Sequence, residues 1–399
     1  MRARELLRDN YAGAPVLVEK ILCVTNDFGP RAGGIETFVI GLIERLPKNT
    51  VIVYTSAQDK SELYDRQWRE NYGVEVIRDK ARILLPTPGV AYCISALVKD
   101  RGIKTAFFGA AAPLALLTPV LRRAGVKKIV ALTHGHEVWW SKIWPFTWVM
   151  KSIASNVDHL TYLGEFTKNA ISQTVSASAK AAMVRIAPGI DTDHFAPVDS
   201  SELKKSLGLV DKRVIVSVGR LVHRKGQDIL IAAMPEILRE IPDSHLLLIG
   251  EGPYRQYLET RVKKLQIDSH VTFIGRISYT DLPRYICLGE VFAMPARSRL
   301  AGLEVEGLGI VYLEASACGL PVIAGNSGGA PDAVRDGVTG LVIDGRDPQT
   351  VAQSVSELLL APERAHQMGL AGRAWIIKEW RWQIWSERFA EILISNPKI

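Results

Sequence analysis

Short runs of apolar, β-branched residues alternate with longer amphipathic stretches along most of the chain. Runs such as Arg213–Val218 and Val291–Met294 have the length of buried strands, whereas Glu36–Leu46 and Gln227–Arg239 carry apolar residues at helical spacing. Apolar strands that alternate with helices indicate parallel sheets with helices on both faces, so we predict an α/β fold. The predicted strands are Lys20–Thr25, Thr50–Thr55, Val74–Ile77, Thr105–Phe108, Ile129–Thr133, His159–Leu163, Met183–Ala187, Arg213–Val218, His245–Ile249, Val271–Ile274, Val291–Met294 and Pro321–Ala324.

The length of the chain, 399 residues, favours more than one hydrophobic core. The strand series is interrupted at Pro188–Asp191 and by the polar stretch Pro197–Lys205, and the tail Trp375–Ile394 has helical periodicity. We therefore predict a lead-in at residues 1–18, two Rossmann-like domains at 19–200 and 201–375, and a helix at 376–399 that crosses back to the first domain. Two such domains that face each other are expected to bind ligands in a cleft at the carboxyl ends of their strands.

The composition is that of a globular protein, with 47% hydrophobic and 23% charged residues and a net charge of +7. This basic excess fits an anionic ligand or membrane surface, and the lack of long Lys/Arg tracts, zinc-finger spacing or RNP-like sequences argues against nucleic acid as a partner. No apolar run has the roughly 18 to 20 residues of a membrane-spanning helix, and the N-terminal segment lacks the apolar core of a signal peptide. The cysteines show no metal-binding spacing, so we expect buried, reduced thiols in a cytosolic protein; they are Cys23, Cys93, Cys287 and Cys318.

Two cations follow the predicted strand Arg213–Val218 on one loop. Arg220 and Lys225 are five residues apart, and Gly219 allows the chain to leave the strand tightly. A guanidinium fork and an ammonium both suit phosphate oxygens, and a nucleoside diphosphate that leaves in a reaction needs its growing charge neutralised. We therefore expect both side chains to bind a diphosphate, although a solvated basic loop would show the same residues.

Two carboxylates in an apolar, glycine-rich segment form the second candidate. Glu306 and Glu314 are eight residues apart, so on a single helix they would lie roughly along one face. The flanking Gly307 and Gly309 instead suggest a loop and the start of a helix close to a ligand. Carboxylates accept hydrogen bonds from sugar hydroxyls, which favours Glu314 for a ribose and Glu306 for a transferred sugar. The glycine-rich turn Asn326–Asp332, after the strand Pro321–Ala324, is expected to support this site.

Glycines and histidines follow two strands of the first domain. Gly33 and Gly34 open a helix, where bare backbone N–H groups favour a phosphate, but the spacing is not that of a dinucleotide fingerprint. His134 and His136 stand two residues apart at a strand end, which does not match a metalloprotease helix, and no third zinc ligand is evident. We expect His134 to touch the reacting sugar; a structural histidine is the alternative.

Taken together, these motifs resemble the two-domain GT-B glycosyltransferases, in particular the retaining enzymes of family 4. The resemblance covers most of the chain and is densest from Val214 to Asp344. Its motifs occur in the family order: Gly33-Gly34, His134, Pro188–Asp191, Gly219-Arg220, Lys225-Gly226, Glu306 to Glu314, and Gly340–Val342. One departure is Leu308, where the family usually has an aromatic residue, and Glu304 in the preceding loop is a second acidic candidate beside Glu306.

The resemblance implies roles for individual residues. Arg220 and Lys225 bind the diphosphate, Glu306 and Glu314 bind the donor sugar and the ribose, and His134 lines the sugar site. The catalytic set is then Arg220, Lys225, His134 and Glu306, and Asp27 lies on the acceptor side. The remaining contacts to the donor are Gly33, Gly34, Arg276, Ile277, Gly307, Leu308, Gly309 and Ile310, with Gly275–Ile277 next to the base.

The resemblance also implies substrates. The nearest group uses GDP-mannose, retains the anomeric configuration, extends phosphatidylinositol monomannoside through an α-1,6 linkage and requires no metal or other cofactor. A mannosyltransferase that acts on glucuronosyl diacylglycerol is the next alternative. A nucleotide-sugar epimerase, a pyridoxal-phosphate phosphorylase and a non-catalytic nucleotide-sugar or lipid-binding module remain open, since the residues alone do not identify the base, the sugar or the acceptor.

A tryptophan-rich segment suggests a membrane partner. Trp139, Trp140, Trp144 and Trp148 are four of the nine tryptophans, with Lys142 and Lys151 beside them and Arg122, Arg123, Lys127 and Lys128 just before. Because Trp and Lys suit the boundary of lipid headgroups, we expect this face to dock on an anionic membrane and to admit a phospholipid or glycolipid acceptor. The expected location is the cytoplasm, peripherally on the inner face of the cell membrane. Packing of these rings between helices is the alternative.

Overall fold

A computed structural model describes residues 19–31 and 33–394 of the chain. The predicted lead-in at 1–18 and the last five residues of the predicted tail lie outside the described residues. The chain divides into two compact units, the first formed by residues up to Gly189 together with those from Trp382 onward, the second by Ile190–Arg381. The units thus meet in sequence at 189/190 and 381/382, whereas we expected 200/201 and 375/376.

The first unit is built on a seven-stranded sheet in which all strands are parallel, in the order β3-β2-β1-β4-β5-β6-β7. Strand β1, which lies between β2 and β4, is entirely buried, with Cys23 opposite Val53 on one side and Phe107 on the other. The strands are β1 Ile21–Thr25, β2 Val51–Thr55, β3 Glu75–Arg78, β4 Thr105–Phe108, β5 Lys128–Ala131, β6 His159–Tyr162 and β7 Val184–Arg185.

Helices connect these strands and begin at local signals in the sequence. Thr87 caps the third helix by accepting a hydrogen bond from the backbone N–H of Val90, and that helix ends at Gly102, whose φ of 62° is left-handed. The helices are α1 Gly34–Ile43, α2 Glu62–Tyr72, α3 Pro88–Arg101, α4 Thr118–Ala124, α5 Glu137–Trp140, α6 Phe146–Asn156, α7 Glu165–Ser172 and α8 Ala177–Ala181.

The second unit has a six-stranded parallel sheet in the order β10-β9-β8-β11-β12-β13. Its strands are β8 Arg213–Val218, β9 Ser244–Ile249, β10 Val271–Gly275, β11 Val291–Met294, β12 Val322–Gly325 and β13 Gly340–Ile343. Its helices are α9 Ser201–Ser206, α10 Gln227–Glu240, α11 Arg255–Lys264, α12 Leu282–Ile286, α13 Ile310–Ala317, α14 Pro348–Leu360 and α15 Pro362–Glu379. Both sheets are parallel and carry helices, which confirms the predicted pair of Rossmann-like domains.

The predicted helix in the tail is interrupted. Helix α15 ends at Glu379, and a separate helix, α16 Trp382–Ile394, belongs to the first unit. There Phe389 meets Phe107 of β4 edge to face, with ring centroids 5.1 Å apart. A Cβ on Gly41 of α1 would lie 2.4 Å from the Trp382 ring, so the missing side chain lets the indole pack against the helix.

The exposure of the cysteines differs in part from our expectation. All four are free thiols, and Cys23 and Cys318 are buried, but Cys93 is exposed on α3 and Cys287 is half-buried. Among the described residues, no helix is both long enough and apolar enough to cross a membrane.

Candidate active site

The basic loop after β8 holds its two cations in different environments. Arg220 is exposed and forms no ion pair within the described part of the chain. Lys225 is buried at the end of a 3-10 turn, His223–Lys225, and its Nζ lies 2.9 Å from Oε2 of Glu306. The turn ends at Gly226, with φ of 76°, where a Cβ would lie 1.9 Å from the carbonyl oxygen of Pro295. Only glycine fits there, so the backbone fixes where Lys225 points.

The two candidate glutamates do not share a helix, so the alignment that a single helix would give does not apply, and the flanking glycines mark a loop and a helix start, as expected. Helix α13 begins only at Ile310, because Gly309 before it has a left-handed φ of 80°. A Cβ on Gly309 would lie 2.4 Å from the ring of Tyr312, which accounts for the glycine. Glu306 therefore lies in the loop before α13, whereas Glu314 lies within the helix.

Lys225 acts electrostatically on both glutamates. The side chains of Lys225 and Glu306 are only 10% and 9% exposed, so their ion pair is shielded from water. Oε2 of Glu306 is buried and has the ammonium nearby, yet it accepts no hydrogen bond of good geometry from any described residue. Burial raises the pKa of Glu314 to about 7, and the charge of Lys225 acts in the opposite direction. The site thus contains one ammonium group and two carboxyl groups. Oε2 of Glu306 lacks a well-aligned hydrogen bond from a described residue, and the carboxyl group of Glu314 is shielded from water.

The turn after β12 fixes the backbone of Glu306. The N–H of Glu306 donates to Oγ of Ser327 at 3.3 Å, and the N–H of Gly329 donates to the carbonyl of Glu306 at 2.8 Å. A Cβ added to Gly328 would lie 2.3 Å from the carbonyl oxygen of Glu306, and one added to Gly329 would lie 2.1 Å from the carbonyl oxygen of Gly307. The motif Asn326–Asp332 therefore packs directly on the loop that carries the carboxylate.

Glu304, the competing carboxylate, is engaged elsewhere. Its Oε2 is 3.0 Å from Nη1 of Arg299, and backbone hydrogen bonds in both directions join the same two residues. Its Oε1 is 4.0 Å from Nε of Arg224, and its side chain is 37% exposed. Glu306 is thus the carboxylate that faces Lys225, while Glu304 closes a small hairpin.

The other expected donor contacts of the second unit lie around these groups. Leu308, which replaces the usual aromatic residue, is buried, and Gly307 and Ile310 are half-buried. Arg276 is exposed just after β10 and forms no ion pair with any described residue, and Ile277 next to it is half-buried.

Three charged side chains lie close together in and just after the loop that follows β1: Asp27, Arg31 and Glu36. Arg31 lies 2.7 Å from Glu36 and 3.6 Å from Asp27, measured between the charged atoms. Burial and then the neighbouring Glu36 raise the pKa of Asp27 to about 6, although Arg31 opposes this. A Cβ on Gly33 would lie 2.2 Å from Oε2 of Glu36, whereas one on Gly34, the exposed first residue of α1, would meet no described atom within 4 Å.

His134 is held in one tautomer. Its Nε2 lies 2.5 Å from the carbonyl oxygen of Gly109, and because a carbonyl only accepts, Nε2 carries the hydrogen. Burial lowers the pKa of this histidine, so the ring is neutral and Nδ1 is an acceptor. The ring also meets Phe38 edge to face at 5.5 Å between centroids.

Glu137 is a residue whose role the sequence reasoning missed. Its side chain is fully buried, and its Oε2 accepts the backbone N–H of His134 at 2.8 Å. Its Oε1 accepts no hydrogen bond from a described residue, although Nε2 of His136 lies 3.4 Å away. A charged residue three positions after His134, in an otherwise apolar segment, was the available signal.

The tryptophan-rich segment divides into two pairs. Trp139 and Trp140 are half-buried, and each packs edge to face on Phe146 at 4.8 Å between ring centroids. Trp144 and Trp148 are 82% and 66% exposed. Packing on a neighbouring ring therefore accounts for Trp139 and Trp140, whereas membrane docking stays a prediction for the exposed pair.

The basic residues near this segment are also divided. Arg122 forms an ion pair with Asp158 at 2.7 Å, and Lys128 is buried, so neither belongs to the expected membrane face. Arg123 and Lys127 are exposed, as are Lys142 and Lys151. No group of three or more His, Cys, Asp or Glu side chains within residues 19–31 and 33–394 could hold a metal ion.

The chain is similar to known glycosyltransferases along its length. The family model for glycosyltransferase family 4 matches residues 32–194, and the model for glycosyl transferases group 1 matches residues 199–375. A GDP-mannose-dependent alpha-(1-6)-phosphatidylinositol monomannoside mannosyltransferase from Mycolicibacterium smegmatis is 44% identical over 94% of this chain and 98% of its own. One from Corynebacterium glutamicum, named for the monoacylated acceptor, is 41% identical over 95% of this chain and 99% of its own.

Solved structures agree in fold. HepE from Anabaena in complex with UDP superposes with a TM-score of 0.79 at 18% identity, covering 94% of this chain and 99% of HepE. Sucrose-phosphate synthase from Thermosynechococcus elongatus gives a TM-score of 0.77 at 22% identity, covering 94% of this chain and 98% of that enzyme. The chain therefore has the GT-B fold and belongs to the family of GDP-mannose-dependent phosphatidylinositol monomannoside mannosyltransferases.

Proposed function

We propose that this protein transfers mannose from GDP-mannose to phosphatidylinositol monomannoside, with retention of configuration, to give the α-1,6-linked dimannoside. The names of relatives that are 41–44% identical over nearly the whole chain support both substrates. The structural observation that carries the proposal is the buried pair of Lys225 and Glu306 beside the half-buried Glu314. A cation next to two carboxyl groups matches the diphosphate, the sugar and the ribose of one nucleotide-sugar.

The donor is held by the second unit. Lys225 and Arg220, which forms no ion pair with a described residue, neutralise the diphosphate. Glu306 accepts hydrogen bonds from hydroxyls of the mannose, and Glu314 accepts them from hydroxyls of the ribose. Arg276 and Ile277 contact the guanine, and the backbone from Gly307 to Ile310 approaches the sugar. Oε2 of Glu306 lies 2.9 Å from the Lys225 ammonium but without good hydrogen-bond geometry to any described residue, so a substrate hydroxyl adds a well-aligned donor.

The reaction exchanges one bond at the anomeric carbon for another. The bond to the phosphate oxygen breaks and GDP leaves with the electron pair, while the acceptor oxygen attacks from the same face. The acceptor proton passes to the leaving phosphate. Arg220 and Lys225 stabilise the charge that develops on GDP, which is where preorganised cations lower a barrier. We propose that these cations, rather than a metal ion, fulfil this role, so EDTA is expected to leave turnover unchanged.

The acceptor side is assigned to the first unit. Nδ1 of the neutral His134 is proposed to accept a hydrogen bond from a sugar hydroxyl, and the backbone N–H groups at Gly33 and Gly34 favour a phosphate at the start of α1. Asp27, ionised above pH about 6, accepts a hydroxyl of the acceptor.

Turnover with defined substrates tests the proposal. Labelled GDP-mannose, GDP-glucose and UDP-glucose are each incubated with the protein and phosphatidylinositol monomannoside, and the product mass and linkage are determined. We expect a hexose to be added only from GDP-mannose, in an α-1,6 linkage. Transfer to glucuronosyl diacylglycerol instead would identify the alternative acceptor. A new sugar epimer formed from the donor alone would identify an epimerase, and GDP-mannose binding without any product would leave a binding module.

We further propose that the protein associates peripherally with the cytoplasmic face of the membrane. The exposed Trp144 and Trp148 and the exposed Lys142 and Lys151 form the docking face, because indole rings and ammonium groups suit the headgroup region of an anionic bilayer. Co-sedimentation with vesicles of phosphatidylinositol and phosphatidylcholine tests this. The variant Trp144→Ser/Trp148→Ser is expected to lose binding, whereas Leu360→Ser, which removes an exposed apolar residue of α14, is the matched control. Equal sedimentation of both variants and the wild type would contradict the assignment.

A further inference from the structure

Each of the three residues of the turn His223–Lys225 contacts a residue at one end of the segment 297–306. His223 lies against the guanidinium of Arg297, Arg224 accepts the backbone N–H of Arg297 at 2.8 Å, and Lys225 pairs with Glu306 at 2.9 Å. These contacts join the loop after β8 to the loop after β11. The position of Lys225 therefore depends on groups that come from a neighbouring strand.

Arg297 is the centre of these contacts. Its side chain is 7% exposed, and its Nη2 lies 2.8 Å from Oδ2 of Asp228, which is 8% exposed on the first turn of α10. The same Nη2 lies 3.0 Å and 2.9 Å from Nδ1 and Nε2 of His223. Burial and then the charge of Arg297 lower the pKa of His223, so a neutral ring faces the guanidinium. The side chain thus bridges the turn and the helix that follows it.

The cost of such a pair argues for a role other than stability. Removing two charges from water is expensive, and a buried ion pair is often no more stabilising than apolar residues of the same size. Oδ1 of Asp228 is buried and accepts no hydrogen bond from the part of the chain that the structure describes, so even this pair is incompletely satisfied. The pair does select one geometry, because a planar guanidinium can bond to Asp228 and meet His223 only in one orientation.

We propose that Arg297, anchored by Asp228, is a positioning residue that holds the turn His223–Lys225 so that the ammonium of Lys225 meets the donor diphosphate. This inference deepens the proposed function, because it rests on Lys225 as a diphosphate ligand. Arg297 acts through the turn and does not itself bind the donor. Small displacements of a binding group reduce rates steeply, by up to roughly 100-fold for a shift of 1 Å.

Two variants separate positioning from folding. Arg297→Lys keeps the charge beside Asp228 but loses the planar fork. Arg297→Met/Asp228→Leu removes both buried charges, which leaves no unpaired ion and is expected to preserve the fold. Arg213→Lys is the matched control, because Arg213 also pairs with a carboxylate in the second unit, Glu290 at 2.7 Å, at the opposite end of β8.

The measurements are the affinity for GDP by calorimetry and steady-state kinetics with GDP-mannose. We expect both Arg297 variants to bind GDP about 10- to 100-fold more weakly and to raise the KM for GDP-mannose, with an unchanged KM for the acceptor. The control is expected to match the wild type. A folded Arg297→Met/Asp228→Leu protein that binds GDP like the wild type would overturn the positioning role. Failure of the wild type to bind GDP would instead refute the proposed function, and the positioning role with it.

Discussion

The buried pair of Lys225 and Glu306 allows stability and activity to be separated by a double-mutant cycle. Lys225→Met removes the ammonium and leaves the Glu306 carboxylate, whose side chain is 9% exposed, without its counter-charge. Breaking a buried pair in this way costs about 3–5 kcal/mol of the free energy of unfolding. Lys225→Met/Glu306→Gln removes both charges, so most of that loss is expected to be recovered. The two single variants and the double variant then give the coupling energy of the pair.

The same variants are expected to behave differently in catalysis. Because the diphosphate needs the cation and not the ion pair, both proteins that lack Lys225 should lose about 100- to 1,000-fold in kcat, the usual effect of removing one group that stabilises developing charge. Urea denaturation measures the stability, and transfer of labelled mannose to the lipid acceptor measures the activity. A double variant that recovers activity along with stability would refute Lys225 as a diphosphate ligand. So would a stable, fully active Lys225→Met protein.

Three further predictions follow from groups around the proposed site. Gly34→Ala is expected to fold as well as the wild type, because the new Cβ meets no described atom within 4 Å, but to lose activity because the Cβ obstructs the bound phosphate. The control Gly89→Ala adds a Cβ at an equally open position at the start of α3 and should keep full activity. Because burial raises the pKa of Glu314 to about 7, the KM for GDP-mannose should fall as the pH rises through 7, and Glu314→Gln should abolish this dependence. The pKa of Asp27 is raised from 3.8 to about 6, so the folded state binds this proton more tightly than the unfolded state. The free energy of unfolding of the wild type should therefore decrease as the pH rises from about 4 to about 6, by as much as about 3 kcal/mol. Urea denaturation of Asp27→Asn should show no such decrease.

The strands were predictable because parallel sheets bury them on both faces. Each of the twelve predicted runs overlaps an observed strand, with ends shifted by a few residues. The one described strand that was not predicted is β13, Gly340–Ile343. It begins with glycine and is half-buried over three of its four residues, and its sequence was noted only as a family motif. The break between α15 and α16 was not predicted, because the apolar periodicity of the tail continues across Trp380 and Arg381 although the helix does not.

The site was less predictable, because its key contacts join distant parts of the chain. Residue type and loop position identified Lys225 and Glu306, but not that they form a buried pair. The glycines around Leu308 indicated a loop and a helix start, but the spacing of eight residues alone did not show that Glu306 precedes the helix that contains Glu314. The role of Arg297 was not predicted, because a single arginine in the loop before Glu304 gives no sign that Asp228 and His223 surround it.

The Lys225–Glu306 pair also explains how a buried ammonium and a buried carboxylate can stay in place before the donor binds. Without a ligand, each charge is the counter-ion of the other, so neither needs to turn toward water. Under the proposed function, the diphosphate replaces the carboxylate as the partner of Lys225, and a mannose hydroxyl gives Oε2 of Glu306 the hydrogen bond that the described protein does not supply. Both groups are already desolvated and held by glycine-rich turns, so binding the donor requires little reorganisation. A donor with a diphosphate but no sugar would satisfy only half of the pair, and GDP is therefore expected to bind more weakly than a non-hydrolysable GDP-mannose analogue in the wild type. In Glu306→Gln, which lacks the carboxylate, the preference for the GDP-mannose analogue over GDP should shrink. Calorimetry would measure the affinity of both ligands for both proteins, and an equal preference in the two proteins would place the mannose away from Glu306.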